Sequence, residues 1–332
     1  LPQLFLVGLA VLLSMLPGAP RQPAEHACRF WGLIGSEYPP DLITDHLRDG
    51  TIDNLRDLGG ANRDGWGFAC FFHSSTTPPF NLPLFRRGGP PANHPHDPDY
   101  DLAVDELIAL SPRAALGHVR AGSSGHWGIP NPHPFQHEGI VFAHNGTLHE
   151  ATLLELLTAD DPDYLETHPP DYVDGHVDSE LYFLYLLKYL RQHPQLPRVE
   201  ALRRAIREVA LVSGTRRLNF VATAGDTLFA LRHAPTDSGD PVRYYPKLAP
   251  SEKSPYWVVA SEIMGSTSEG WGRIPAKNLA IFVPGQPPEF LPIEPDAYPD
   301  EASLVDIGPA RPNPVLDRLT IPIDVVAGDG GE

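Results

Sequence analysis

Cysteine is nearly absent from this 332-residue chain, which carries only Cys28 and Cys70. Two cysteines cannot build a disulfide scaffold, and no C-x-x-C pair or Cys/His ligand cluster points to zinc. Lysine is almost as scarce: Lys188, Lys247, Lys253 and Lys277 stand alone in a chain of net charge −17. Nucleic acids and anionic membranes recruit basic patches, so neither is expected as a partner. Also missing are a Gly-rich phosphate loop, a dinucleotide fingerprint and any internal repeat, so no cofactor or metal is expected. Long apolar runs are missing too. The longest, Leu4 to Leu16, falls short of the ~20 residues that span a bilayer, so no stable membrane span is expected in the mature form.

What is present is the composition of a folded globular protein, 42% hydrophobic and 20% charged. The apolar stretch from Leu4 to Leu16, broken by Pro17-Gly18-Ala19-Pro20, fits the core of a secretory signal. Three routes lead from it to Cys28: export with cleavage after Ala27, a miscalled start on a cytoplasmic protein, or self-removal of a propeptide. The expected location is periplasmic or extracellular if the leader is real, and cytoplasmic if the start is miscalled. The expected division is a leader over 1–27, one domain over 28–283, and a Pro-rich acidic tail over 284–332 with one short strand.

Apolar spacing predicts strands over 28–35, 65–72, 114–120 and 139–144, then a later group over 218–224, 227–233, 242–245, 256–261 and 278–283. Helices are predicted over 41–58, split at Gly50, and over 103–110, 151–158, 179–192 and 199–212. Residues 74–98, rich in Pro, His and Asn, read as a surface insertion. Ala224-Gly225-Asp226 reads as a hairpin turn. This order suggests a layered α+β fold with antiparallel sheets and no second domain.

Four segments carry candidate chemistry. They are Arg63-Asp64-Gly65-Trp66-Gly67, Gly117-His118-Val119-Arg120-Ala121, Phe142 to Leu148 around Asn145-Gly146, and Val177-Asp178-Ser179-Glu180. Each has an ordinary reading: Asn-Gly as a turn, Asp178 as a helix N-cap, Arg120 as a surface ion pair. Together they place a cation, an anion and an amide donor in one chain with an accessible thiol.

In this order and spacing the motifs resemble the class II glutamine amidotransferases, in their stand-alone glutaminase branch. The matching pieces are Cys28-Arg29-x-Trp31-Gly32, Asn62 to Gly67, His118-Val119-Arg120, Asn131-x-His133-Pro134-Phe135, His144 to Leu148 and Asp178-Ser179-Glu180. The resemblance implies a four-layer αββα sandwich of the N-terminal-nucleophile hydrolase type. It implies that Cys28 is the nucleophile, with its own α-amino group as base once the leader is gone. An α-amine has a reference pKa of ~8, against ~10.4 for a lysine. Arg120 corresponds to the clamp on a glutamine α-carboxylate and Asp178 to the partner of the α-ammonium. Asn145 and the Gly146 N–H correspond to the oxyanion hole, and Ser123 to a further contact with the amino-acid end. His118 and His144 read as packing or hydrogen-bonding residues, and His133 takes no chemical role.

The expected partner is glutamine or a γ-glutamyl small molecule, together with an ammonia-accepting synthase if free glutamine is the substrate. Two other readings stay open: a secreted non-catalytic module on the same fold with Cys28 tied to Cys70, and a scaffold protein anchored by its N-terminal stretch.

Overall fold

The computed structural model describes residues 28–73, 80–81, 84–87, 98–122, 131–172, 175–213, 217–233 and 241–293. In chain order the strands are β1 (Arg29–Gly35), β2 (Trp66–His73), β3 (Phe80–Asn81), β4 (Leu84–Arg87), β5 (Ala114–Val119), β6 (Phe135–His137), β7 (Ile140–Asn145), β8 (Asn219–Thr223), β9 (Leu228–Arg232), β10 (Arg243–Tyr245), β11 (Tyr256–Ala260), β12 (Gly272–Arg273), β13 (Asn278–Phe282) and β14 (Glu289–Pro292). The helices are α1 (Leu42–Thr44), which runs into a π-helical turn at Asp45–Asp49, α2 (Leu55–Leu58), α3 (Asp99–Leu110), α4 (Glu150–Thr158), α5 (Tyr164–Thr167), α6 (Asp178–Gln192) and α7 (Arg198–Ser213).

The strands form two antiparallel sheets. One runs β12-β10-β11-β1-β5-β2-β3, with β4 also on β2, and the other runs β14-β13-β9-β8-β7-β6. Strand β1 is buried along its whole length because both of its faces are covered. Trp31 and Leu33 point outward into a core shared with α1, α2 and α3. Phe30 and Ile34 point inward, against Val141, Val221, Leu228 and Phe282 of the facing sheet. A third core lies between that second sheet and α4 to α7. The layers are therefore helix, sheet, sheet, helix.

Each helix sits where its apolar face requires. In α7, Ala201, Ala205, Ile206 and Val209 form one buried stripe at helical spacing. In α6 every residue from Asp178 to Tyr189 is buried, because α4 and α7 flank it and the sheet lies beneath. Among the described residues no helix is long and apolar enough to cross a membrane.

Differences from the sequence reading are local. Helix α3 starts at Asp99 rather than Ala103, with Asp99 and Asp101 in its first turn, where the helix dipole favours acids. The segment read as an insertion contributes β3 and β4, both paired to β2. The acidic loop before α6 holds the one-turn α5. The folded chain continues past Val283: β14 pairs with β13, and Ile293 is fully buried. The leader, most of the 74–98 segment and the tail beyond Ile293 lie outside the described residues.

Phe282 is fully buried between the sheets, 5.7 Å from the ring centres of both Trp257 and Tyr244. Phe282→Ala is expected to cost about 3–5 kcal/mol, read as a lower urea midpoint with an unchanged slope.

Candidate active site

Strand register decides what surrounds Cys28. Arg29 lies opposite Val119 in the β1–β5 pair, so the residue before Arg29 falls beside Arg120 and Ala121. The Cys28 thiol accepts from the Ala121 N–H at 3.3 Å and donates to the Ala121 carbonyl at 3.4 Å. Arg29 fixes the same corner: its Nη1 donates to the Cys28 carbonyl at 3.2 Å, and its Nε pairs with Glu262 at 3.0 Å.

The turn before β2 holds Arg120 in place. The Asp64 N–H donates to the Arg120 carbonyl, and the Arg120 N–H donates to the Gly65 carbonyl. The Asp64 carboxylate then accepts from the Gly122 N–H at 2.6 Å. A side chain at Gly122 would meet the Arg120 guanidinium at 3.2 Å and Asp64 at 3.3 Å. Arg120 itself is buried.

The second sheet and α6 supply the other side. Asp178 is the first residue of α6, one place inside the N-cap Val177, so it is not the cap that the sequence suggested. Its carboxylate accepts from the Ser179 N–H at 2.9 Å and, across the gap to β7, from the Leu148 N–H at 2.7 Å. This bond pins the Asn145-Gly146-Thr147-Leu148 turn against the helix. Asn145 ends β7 fully enclosed, and its Oδ1 has no hydrogen-bond partner among the described residues. At Gly146 a Cβ would fall 1.9 Å from the Arg217 carbonyl, so only glycine fits there.

The imidazoles beneath this site tie the layers together. His118 Nε2, on β5, donates to the His144 carbonyl on β7 at 3.3 Å. His144 Nε2 donates to the Arg217 carbonyl at 3.1 Å, which leaves Nδ1 to accept from the Ser179 hydroxyl at 2.9 Å. The His133 ring lies 4.1 Å from that of His118. Burial holds all of them neutral: it lowers His118 to about 3, pushes His133 well below its usual value, and lowers His144 against the pull of Asp178.

The electrostatics of Cys28 follow from the same placement. Burial raises its pKa most. The Ala121 hydrogen bond, then Arg120, work against this, Asp178 adds to it, and Arg29 opposes it more weakly. The thiol is thus neutral near pH 7, and an opposed pair of charges from two different layers acts on it.

The structure therefore gathers Cys28, Arg120 and Asp178 at one end of the sandwich, with Asn145 and Gly146 joined to Asp178 through Leu148. Ser123 lies outside the described residues. The roles of Arg29, Glu262, Arg217 and the Ala121 backbone were not anticipated. Glu262 carries no local signal, since it reaches Arg29 only through the turn after β11. Asp64 had one, in the Arg63 to Gly67 motif. The alternative reading, in which Cys28 is bridged to Cys70, does not hold in this structure. Both thiols are free, and Cys70 pairs with Ala115, which faces Leu33, five positions along β1 from Cys28. At ~3.3 Å per residue that is roughly 16 Å, where a disulfide needs ~4.4–6.8 Å between Cα atoms. Among the described residues no cluster of three or more His, Cys, Asp or Glu is arranged to hold a metal.

The family model of glutamine amidotransferases class-II matches residues 51–239, more than half of the chain. The chain belongs to the class II glutamine amidotransferases. The match begins after Cys28, so the assignment does not rest on the thiol. The solved structure of the allosteric regulatory enzyme of purine biosynthesis is 15% identical, with a TM-score of 0.51 over 79% of this chain and 49% of that one. It supports the αββα fold of the N-terminal-nucleophile type. A glutamine aminotransferase class-II domain protein from Silicibacter pomeroyi is 20% identical, covering 81% of this chain and all of its own, with a TM-score of 0.47. The glutamine phosphoribosylpyrophosphate amidotransferase of B. subtilis is 16% identical, over 79% of this chain and 49% of that one, with a TM-score of 0.47. This chain thus spans about half the length of two of these relatives. No curated protein matches it.

Two outcomes follow for this amidotransferase domain. Gly146→Ala is expected to lower the thermal midpoint, because the clash is with backbone rather than a movable side chain. The second concerns acid. Unfolded histidine takes up a proton near pH 6.5, whereas folded His118 resists to about 3 and folded His46 to about 4. Their stabilising effect is therefore complete above pH ~6.5 and is lost as the pH falls, with a slope approaching ~1.4 kcal/mol per pH unit for each. The urea midpoint should drop from pH 7 to pH 5, and equal midpoints would contradict the neutral imidazoles.

Proposed function

We propose that this protein hydrolyses a γ-glutamyl amide through a thioester on Cys28, after the bond between Ala27 and Cys28 is cut. The observation that carries the reading is the buried neutral thiol under the opposed influence of Arg120 and Asp178. A neutral thiol needs a base, and among the described residues its hydrogen bonds go to the Ala121 backbone. A freed α-amine at Cys28 supplies that base at a reference pKa of ~8. An amide nitrogen cannot, which is why the cut is required.

The chemistry runs in two halves. The α-amine takes the thiol proton, directly or through water, and sulfur attacks the side-chain amide carbon. The oxyanion takes hydrogen bonds from the Asn145 amide and the Gly146 N–H. The C–N bond breaks, and the amine or ammonia leaves with the proton. Water then attacks the thioester, giving the free γ-carboxylate and restoring the thiol. Arg120 holds the α-carboxylate of the glutamyl group in a forked contact, and Asp178 faces its α-ammonium. Ser123 is assigned to the same amino-acid end. The acylated half fits either free glutamine feeding an ammonia-accepting synthase or a γ-glutamyl-capped small molecule that is trimmed.

Intact-mass analysis of mature protein treated with a glutamine-analogue electrophile tests this. One adduct, mapped to Cys28, is expected, and an adduct elsewhere or none would overturn the reading. Asn145→Ala should lower turnover by about 10²–10³ with little change in KM. Arg120→Leu should act mainly on KM.

A further inference from the structure

A second recess opens on the outer side of the first sheet, between α1, the π-helical turn and the β10–β12 edge. Its walls include Asp41, Asp45, His46, Tyr245, Thr267 and Trp271, and neither lysine nor arginine lines it. None of Cys28, Arg120, Asn145, Gly146 and Asp178 contributes. The cavity holds about 120 Å³, room for a small organic group rather than a single water.

Three aromatic rings form its inner wall. The Trp271 ring centre lies 5.7 Å from that of His46 and 5.6 Å from that of Tyr245, and the last two are 6.4 Å apart. Trp271 is inclined by 41° to His46 and by 43° to Tyr245, while His46 and Tyr245 stand at 84°. The rings therefore turn a corner instead of stacking flat. The His46 ring is uncharged, since its Nδ1 accepts from the Trp31 indole N–H at 3.2 Å and burial lowers its pKa to about 4. It does not repel a cation.

The rim is acidic. Asp45 is held by the Ser266 N–H at 3.0 Å and the Ser266 hydroxyl at 2.5 Å. Asp41 is exposed, and its side chain makes no helix-capping bond. This combination selects a ligand chemistry. An anion meets two carboxylates. A neutral apolar group gains nothing from them. A bare metal ion finds too few ligands and a wall of three aromatic side chains. A cation with an apolar, weakly hydrated shell satisfies both walls, since ring quadrupoles attract it and carboxylates balance it.

We propose that this recess binds a small alkylated ammonium group, of the trimethylammonium type, at a site separate from the reaction centre. Binding there does not depend on processing at Cys28 or on amide cleavage.

The test is calorimetric titration of the full chain with choline and with its uncharged isostere, 3,3-dimethyl-1-butanol, at one ionic strength. Saturable one-to-one choline binding is expected, with a change in tryptophan emission and with the isostere at least about ten-fold weaker. Asp41→Asn, at an exposed position, should weaken choline by about two- to five-fold and leave Cys28 labelling unchanged. Trp271→Leu should abolish binding, and Tyr245→Leu, at a partly buried ring, tests the same wall if the tryptophan variant fails to fold. Equal affinity for choline and the isostere, no saturable signal, or unaltered binding in both Asp41→Asn and Tyr245→Leu would overturn the proposal.

Discussion

The antiparallel register of β1 on β5 is the constraint from which the site follows. With Arg29 set against Val119, the chain has no choice about where Cys28 lies: beside Arg120 and Ala121, at one edge of the sandwich. The same edge is where β7 ends and α6 begins, because the facing sheets share one core of Phe30, Leu116, Val141 and Val221. A slip by one residue would send Trp31 and Leu33 between the sheets and turn Phe30 out, so burial itself enforces the register.

Hydrogen bonds then hold the layers to each other where apolar packing alone would leave freedom. His118 ties the Arg120-bearing strand to the backbone of His144, one residue before Asn145. Asp178 ties α6 to the turn after β7 through Leu148. His144 and Ser179 close the ring. These groups are buried, where an unmet polar group costs ~1–3 kcal/mol, so the network resists small displacements. It holds the site's two halves without placing a charged imidazole near the thiol.

Much of this was legible in the sequence because it is written in local pattern. Short apolar runs marked β1, β5, β7 and the later hairpins, and helical spacing marked α4, α6 and α7 to within a residue or two. The motifs around Asp64, Arg120, Asn145 and Asp178 were legible because each sits at the end of an element. Other features depended on distant partners. Strands β3 and β4 are too short to show a period and exist through pairing with β2. The one short strand expected in the tail is β14, but its place was not legible, because it is set by pairing with β13. Asp178 read as a cap because helix starts favour aspartate, yet its carboxylate serves Leu148, thirty positions away. The arginine–glutamate pair at Arg29 and Glu262 spans almost the whole described chain, and the aromatic recess joins residues from 41 to 271. No window of sequence contains either.

The central claim is that Cys28 acts as the first residue of the working protein, so that its own amine serves as the base for its thiol. N-terminal sequencing of the active protein, purified from its native source, tests this most directly. Cys28 is expected in the first cycle. Amide-cleaving protein that still carries Ala27, or that begins elsewhere, would contradict it.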